Sequence, residues 1–357
     1  MIDGIYILAN DVVYDQLVAL LNSIEANAGR KIPICILPYN ERLDKVKTEI
    51  ASRDNVSLFE DSDSIAYWDN FATQIWKNYP RAQKTWREWG FPELYELPMH
   101  RKFCAVDGPF DRFIYFDADI LLMGPVDYVY EKLDSYDWVV NDFQYKSDLK
   151  FIFDGSPEQM QQVFNSDNLQ SKVFCAGWFA TKKNIFSPAM RADLFDKLIA
   201  GEADVMAFLA PDQSLFNYMV LKSGISYYNF ACYDCEQATG NHWSSQFDVV
   251  DNMLYDQGRK LTYVHYMSIS SSDFRRLCGG EDVDIPYRDV FLYYRYLKSP
   301  EQRPQSFTRP SQLMLLQKST SNFIQQRVNN IKLKYRNFKD RIAQRRGRGQ
   351  GAGSGGK

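Results

Sequence analysis

The sequence predicts an α/β fold with a mostly parallel central sheet, and three features of its first half carry that expectation. Short apolar runs recur at 5–8, 32–37, 56–59, 113–116 and 138–140. Helical periods separate the early ones, as in the Leu17, Leu20, Leu21 and Ile24 series. The strands are apolar without alternation, so both their faces are covered, which is the habit of parallel strands flanked by helices.

The elements follow in order. The strand at 5–8 runs into Ala9-Asn10-Asp11, and the helix after it is closed by Gly29, placed as a C-cap glycine would be. A strand at 32–37, a helix at 41–50 and a strand at 56–59 continue the alternation. Residues 61–97 interrupt it with Tyr67, Trp68, Phe71, Trp76, Tyr79, Trp86 and Trp89. Two amphipathic helices sending aromatics into the core explain this insert; aromatics lining a binding cleft are the alternative. The strand at 113–116 leads into Asp117-Ala118-Asp119, and the strand at 138–140 ends near Asp142. A strand is expected over 173–180 with Gly177 inside it, and a helix over 207–220 containing Pro211-Asp212-Gln213.

From 299 the chain turns polar and proline-dotted, which marks a domain end. One domain is therefore expected over 1–298, then a linker and helical tail over 299–346. Ile324, Val328, Ile331, Tyr335, Phe338 and Ile342 form one apolar seam on a basic helix. Such a helix suits an anionic membrane surface or self-association, with packing on the domain as the alternative. Residues 347–357 are glycine-rich and expected to be disordered.

Charge divides the same way. Residues 318–357 carry 11 Lys/Arg against one acid, leaving 31 basic and 44 acidic groups in the body. An acidic body argues against nucleic-acid binding. Six dispersed cysteines read as reduced thiols, and the start MIDGIYILAND lacks the basic flank and apolar length of a signal peptide. No run is long enough for a membrane span, so a cytoplasmic protein is expected, with possible contact to the inner face of a membrane through the tail.

The chemistry concentrates at Asp117 and Asp119. At a spacing of two on a strand they share a face. At the C-terminal end of a parallel strand, that face is where α/β folds bind ligands. Two adjacent carboxylates repel unless a cation or proton sits between them, and Mn²⁺ or Mg²⁺ bridging a diphosphate would make the placement tolerable. Phosphatases of the haloacid-dehalogenase type also use a D-x-D after an apolar strand, but near the N-terminus and with Thr or Val where this chain has Leu121.

The chain resembles the family 8 glycosyltransferases, a group of GT-A fold that includes glycogenin and bacterial lipopolysaccharide galactosyltransferases. The resemblance spans roughly 4–275 and rests on the D-x-D strand, His100-Arg101-Lys102-Phe103 before it, Asp142, Phe174-Cys175-Ala176-Gly177, Asp212-Gln213-Ser214-Leu215-Phe216-Asn217 and Val264-His265-Tyr266. It implies a metal held by Asp117, Asp119 and His265, and a nucleotide-sugar donor, UDP-linked by the family's habit. Ala9, Asn10, Tyr14, Lys102, Ala118 and Asp142 would meet that donor, with 1–130 as the nucleotide half. Asp212 and Gln213 would face the reacting sugar, within an acceptor half at 131–298. Transfer to a saccharide, lipid-linked or protein acceptor with retention is the implied reaction.

The family's central Asn-Ser pair is replaced by Cys175 and Ala176, and its late Gly and Lys by Ser268 and Ser271. Arg275 or Arg276 would then take the place of the diphosphate-binding lysine. Other readings stand beside these: His265 as a core histidine, Asp212 as a helix N-cap, Lys102 on a solvated helix face, and His242 touching the acceptor. A phosphotransferase or nucleotidyltransferase using the same metal pair, or a non-catalytic scaffold on a decayed core, are the rival functions.

Overall fold

A computed structural model of the chain describes residues 1–147, 149–165 and 169–309. The basic helical seam at 324–342 and the glycine-rich end therefore lie outside the described residues. No described helix is long and apolar enough to cross a membrane.

Among the described residues twelve strands form, β1 (Asp3–Ala9), β2 (Ile34–Pro38), β3 (Val56–Leu58), β4 (Arg112–Asp117), β5 (Ile120–Leu122), β6 (Trp138–Val140), β7 (Trp178–Lys182), β8 (Tyr227–Asn229), β9 (Asp248–Val250), β10 (Met253–Asp256), β11 (Arg259–Lys260) and β12 (Tyr263–His265). Seven of them make the main sheet in the order β3-β2-β1-β4-β7-β6-β8. All but β7 run the same way, because β4 and β6 both pair with β7 antiparallel. The expected α/β class with a mostly parallel sheet is what forms. Between β1 and β4 the order reverses direction, which opens a crevice beyond their C-terminal ends. Asp117 ends β4 there, in register with Leu8 of β1.

Both faces of the sheet are covered, as continuous apolar strands require. Ile5, Ile7, Ile114 and Phe116 face Leu17, Leu20 and Ile24 of the helix Tyr14–Asn27. Tyr6, Leu8, Phe113 and Tyr115 face the other way, into the aromatic insert. The insert folds as the helices Ser62–Lys77 and Pro80–Glu88, which bury Trp68, Trp76 and Trp86 completely. Each such indole removes enough surface from water to contribute roughly 4–6 kcal/mol before entropy. Each N–H is also satisfied: Trp68 on Asp107, Trp76 on His100 Nε2 and Trp86 on the Phe208 carbonyl. Packing rather than cleft-lining accounts for these three.

Two segments differ from the sequence reading. Of the expected 173–180 strand only 178–180 joins the sheet, in a strand that runs on to Lys182. Phe174 cannot join, because the Asn217 side-chain amide takes both its N–H (3.0 Å) and its carbonyl (2.8 Å), while Cys175 N–H donates to Asp142 Oδ2 at 2.6 Å. The helix expected over 207–220 begins only at Pro211, where proline occupies the first turn, and runs to Ser223.

Candidate functional site

The D-x-D triplet is a strand end plus a turn. Asp117 closes β4, and Ala118 and Asp119 turn the chain into β5. The two carboxylates therefore converge through a turn rather than by alternation along one strand. Ala118 packs its side chain into the core beneath β1, so a small residue suits the middle of the triplet. β5 pairs antiparallel with β12 so that Ile120 stands opposite His265. Tyr266 N–H donates to the Asp119 carbonyl at 2.9 Å, which fixes the turn against the strand. A late histidine is thus carried to the acidic triplet by strand register.

Asp117, Asp119 and His265 each offer a ligand atom, and these atoms lie within 4.8 Å of one another. His265 Nε2 is 3.2 Å from Asp119 Oδ1. The carboxylates are 21% and 22% exposed, so the cluster is partly accessible to solvent. Asp117 Oδ1 accepts the Tyr115 hydroxyl at 2.6 Å and Lys102 Nζ at 3.3 Å, leaving Oδ2 free to ligate. Gly177 lies against the same oxygen. A Cβ there would stand 2.9 Å from Asp117 Oδ2 and 2.5 Å from His265 Cε1, so only glycine fits.

Lys102 is the buried hub of the site. It is 1% exposed, 2.7 Å from Asp212 Oδ2 and 3.3 Å from Asp117 Oδ1, and it also reaches the Ala176 carbonyl at 3.4 Å. It is not on a solvated face. Asp212 is not an N-cap either: it sits inside the first turn of its helix, whose cap residue is Ala210. Burial pushes the Lys102 ammonium down, but Asp117 and Asp212 outweigh it and hold the cation above its usual range. Burial raises Asp117, partly opposed by Lys102. Burial would raise Asp119 as well, but His265 outweighs it and leaves that carboxyl below its usual range. Burial disfavours the His265 cation, and Asp119 more than compensates, raising it well above an ordinary histidine. Three carboxylates thus face one lysine and one histidine, an arrangement that a divalent cation completes.

The remaining predicted residues are placed as follows. Gln213 is half-buried and accepts the Ala176 N–H at 3.4 Å, so it lies along the 173–177 segment beside Lys102. Asp142 holds the same segment through Cys175, and burial raises its carboxyl. Ala9 and Asn10 end β1 at the crevice, but the Asn10 side chain caps the following turn through Val12 N–H. Tyr14 sends its hydroxyl to Glu49 at 3.0 Å; burial, then Glu49, pushes its phenol up to about 12. Arg276 is held by Asp273 and Glu281, whereas Arg275 on the same helix, Ser271–Cys278, is exposed with no ion-pair partner among the described residues.

Sequence reasoning missed Tyr115, although it lies two residues before Asp117 on one strand and so shares its face. It also missed Asn241, whose carbonyl accepts His265 N–H at 2.7 Å and whose amide donates to the Asn141 carbonyl and the Tyr263 hydroxyl. No sequence signal marks that loop contact.

No protein-family model and no curated protein matches the chain. Solved structures similar to it include the bifunctional glycosyltransferase WbbM, at 16% identity and a TM-score of 0.46, covering 85% of this chain and 52% of that one. The chain thus spans about half the length of WbbM. The galactosyltransferase LgtC, solved with donor and acceptor sugar analogs, is similar at 14% identity and a TM-score of 0.48, covering 81% of this chain and 100% of its own. The glycosyltransferase GlyE of Streptococcus pneumoniae is similar at 13% identity and a TM-score of 0.43, over 83% of this chain and 60% of that one.

Proposed function

We propose that the chain is a metal-dependent glycosyltransferase of GT-A type that moves a sugar from a nucleotide-diphosphate donor, UDP-linked in the first instance, to an acceptor hydroxyl. The observation that carries the reading is the convergence of Asp117, Asp119 and His265 beyond the end of β4, where the strand order reverses, with Lys102 tying them to Asp212. Two carboxylates and one imidazole suit Mn²⁺ better than Mg²⁺, which keeps to oxygen ligands. The fit is supported by the Gly177 cradle, which leaves clear the space between His265 and the free oxygen of Asp117.

A divalent cation held by Asp117, Asp119 and His265 would supply Lewis-acid stabilisation of the negative charge on the departing nucleoside diphosphate. The chain's residues do the rest. Lys102, fully buried, cannot reach out to a phosphate; it holds Asp117 and Asp212 at a fixed separation. Gln213 and the edge of Asp212 face the sugar, and the end of β1 meets the nucleoside. Arg275 is the exposed cation offered to the diphosphate. In the transfer, the bond between the anomeric carbon and the phosphate oxygen breaks, and its electron pair stays with the phosphate. The acceptor hydroxyl oxygen forms the new bond to the anomeric carbon and gives up its proton to the departing diphosphate oxygen. Retention at the anomeric carbon is what the family resemblance implies.

The test is a panel of UDP-, GDP- and ADP-sugars with Mn²⁺, followed by release of the nucleoside diphosphate, since slow transfer to water registers even without the acceptor. Release from one donor class, lost on chelation and in Asp119→Ala, supports the reading. Hydrolysis of phosphomonoesters in place of nucleotide sugars, or no release from any donor, contradicts it.

A further inference from the structure

The family's late lysine is absent and Lys102 and Arg276 are both engaged in ion pairs, so beside Arg275 the diphosphate has room for a second donor. The loop at 240–245 offers one. It runs parallel to the end of β12: His265 N–H donates to the Asn241 carbonyl at 2.7 Å, and Trp243 N–H to the His265 carbonyl at 3.2 Å. That pairing sets His242 directly beside His265, and residues paired in a parallel bridge project from the same face. Its neighbours turn elsewhere. Asn241 reaches to Asn141 and Tyr263, and Trp243 sends its indole N–H to the Met267 carbonyl at 2.8 Å while packing on the cluster behind β12. The loop is thus pinned on both sides of His242, which stays half-buried.

The ring's hydrogen position is fixed by its partners. His242 Nδ1 lies 3.1 Å from Ser244 N–H and 2.8 Å from the Ser244 hydroxyl. A backbone N–H can only donate, so Nδ1 is the acceptor and the neutral ring carries its hydrogen on Nε2. That N–H has no partner among the described residues. It is a preset donor on the same face as His265, one of the residues that would hold the metal.

We propose that His242 is a donor-phosphate ligand, its Nε2–H hydrogen-bonding a non-bridging phosphate oxygen of the nucleoside diphosphate. This rests on the glycosyltransferase reading and names a residue that does part of what the absent lysine would do. A hydrogen bond to a charged oxygen at this position is worth roughly a tenfold change in affinity or more.

The test is calorimetric titration of UDP, then GDP and ADP, into the full chain at saturating Mn²⁺, for wild type, His242→Ala and His242→Gln. Uridine followed by ligand-observed NMR and Mn²⁺ titrated alone are the controls. The expected result is roughly tenfold weaker UDP binding in the alanine variant, recovery by glutamine, whose amide N–H can replace Nε2–H, and unchanged uridine and Mn²⁺ binding. UDP binding in His242→Ala equal to wild type overturns the proposal and leaves the glycosyltransferase reading standing. An equal loss for uridine and UDP, or a loss of Mn²⁺ binding, also overturns it. Failure of the wild type to bind any of the three diphosphates removes the glycosyltransferase reading and this assignment together.

Discussion

Gly177→Ala tests the site geometry with one methyl group. An added Cβ would lie 2.5 Å from His265 Cε1 and 2.9 Å from Asp117 Oδ2. Carbon atoms settle at about 3.5–4.0 Å, so the imidazole must retreat by about 1 Å. His265 has little room to do so, being buried on β12 with its backbone bonded to Asn241 and β5. Asp117 is held equally firmly by Tyr115, Lys102 and the hydrogen bond from its own N–H to the Gly177 carbonyl at 2.8 Å. Overpacking of this kind costs about 1–3 kcal/mol of stability. Misplacing a ligand costs more in function: a ten- to hundredfold loss of metal affinity is the usual scale when ligand orientation is disturbed. Free Mn²⁺ measured by electron paramagnetic resonance during a titration reads the second effect, and scanning calorimetry without metal reads the first. The expected result is a melting temperature lowered by a few degrees with Mn²⁺ affinity reduced at least tenfold. Wild-type Mn²⁺ affinity in a folded Gly177→Ala protein would refute the claim that Asp117 and His265 share one ion.

Lys102→Met leaves the buried Asp212 and the partly exposed Asp117 without their cation and should destabilise the chain by about 3–5 kcal/mol in urea unfolding; adding Asp212→Asn should recover a large part, and independent additive losses would contradict the pairing. Tyr115→Phe keeps the ring packed but removes the hydroxyl from Asp117, so Mn²⁺ affinity should fall about tenfold with a stability change of about 1–2 kcal/mol. His100 supplies a pH dependence. Its Nδ1–H donates to the Leu97 carbonyl and its Nε2 accepts from Trp76, so the native ring is neutral; burial lowers its pKa, with Asp212 and Asp69 opposing and Lys102 assisting. Because the folded value is lower than the unfolded one, the unfolded state binds more protons, and stability falls as pH drops below about 6.5. Relative to His100→Gln, wild type should lose up to about 1.4 kcal/mol per pH unit across that window, and parallel stability profiles would refute the neutral assignment.

Much of the fold was legible because parallel strands buried on both faces leave unbroken apolar runs, and β1, β2 and β4 fall where those runs lie. The reversed direction of β7 was not, since an apolar run carries no direction. The 173–177 segment looked like strand from composition alone, and only the distant Asn217 amide, by taking Phe174's backbone groups, keeps it out of the ladder. Asp117 and Asp119 stood out because carboxylates set in apolar sequence are costly to bury unless something holds them, whereas His265 was legible only through the family resemblance. Lys102 shows the limit: lysine in a helical stretch reads as surface, and its burial depends on Asp212, which tertiary folding alone brings to it. Arg276 could have been set aside earlier, because Asp273 three residues before it is a helix-face partner.

The most direct test of the account is the melting temperature of the full chain with a panel of nucleoside diphosphates and nucleotide sugars, with and without Mn²⁺, alongside Asp119→Asn. A micromolar ligand at millimolar concentration stabilises by about 4 kcal/mol. The account predicts a rise for one nucleotide class that requires Mn²⁺ and disappears in Asp119→Asn. A wild-type melting curve unmoved by every nucleotide in the presence of Mn²⁺ would contradict it.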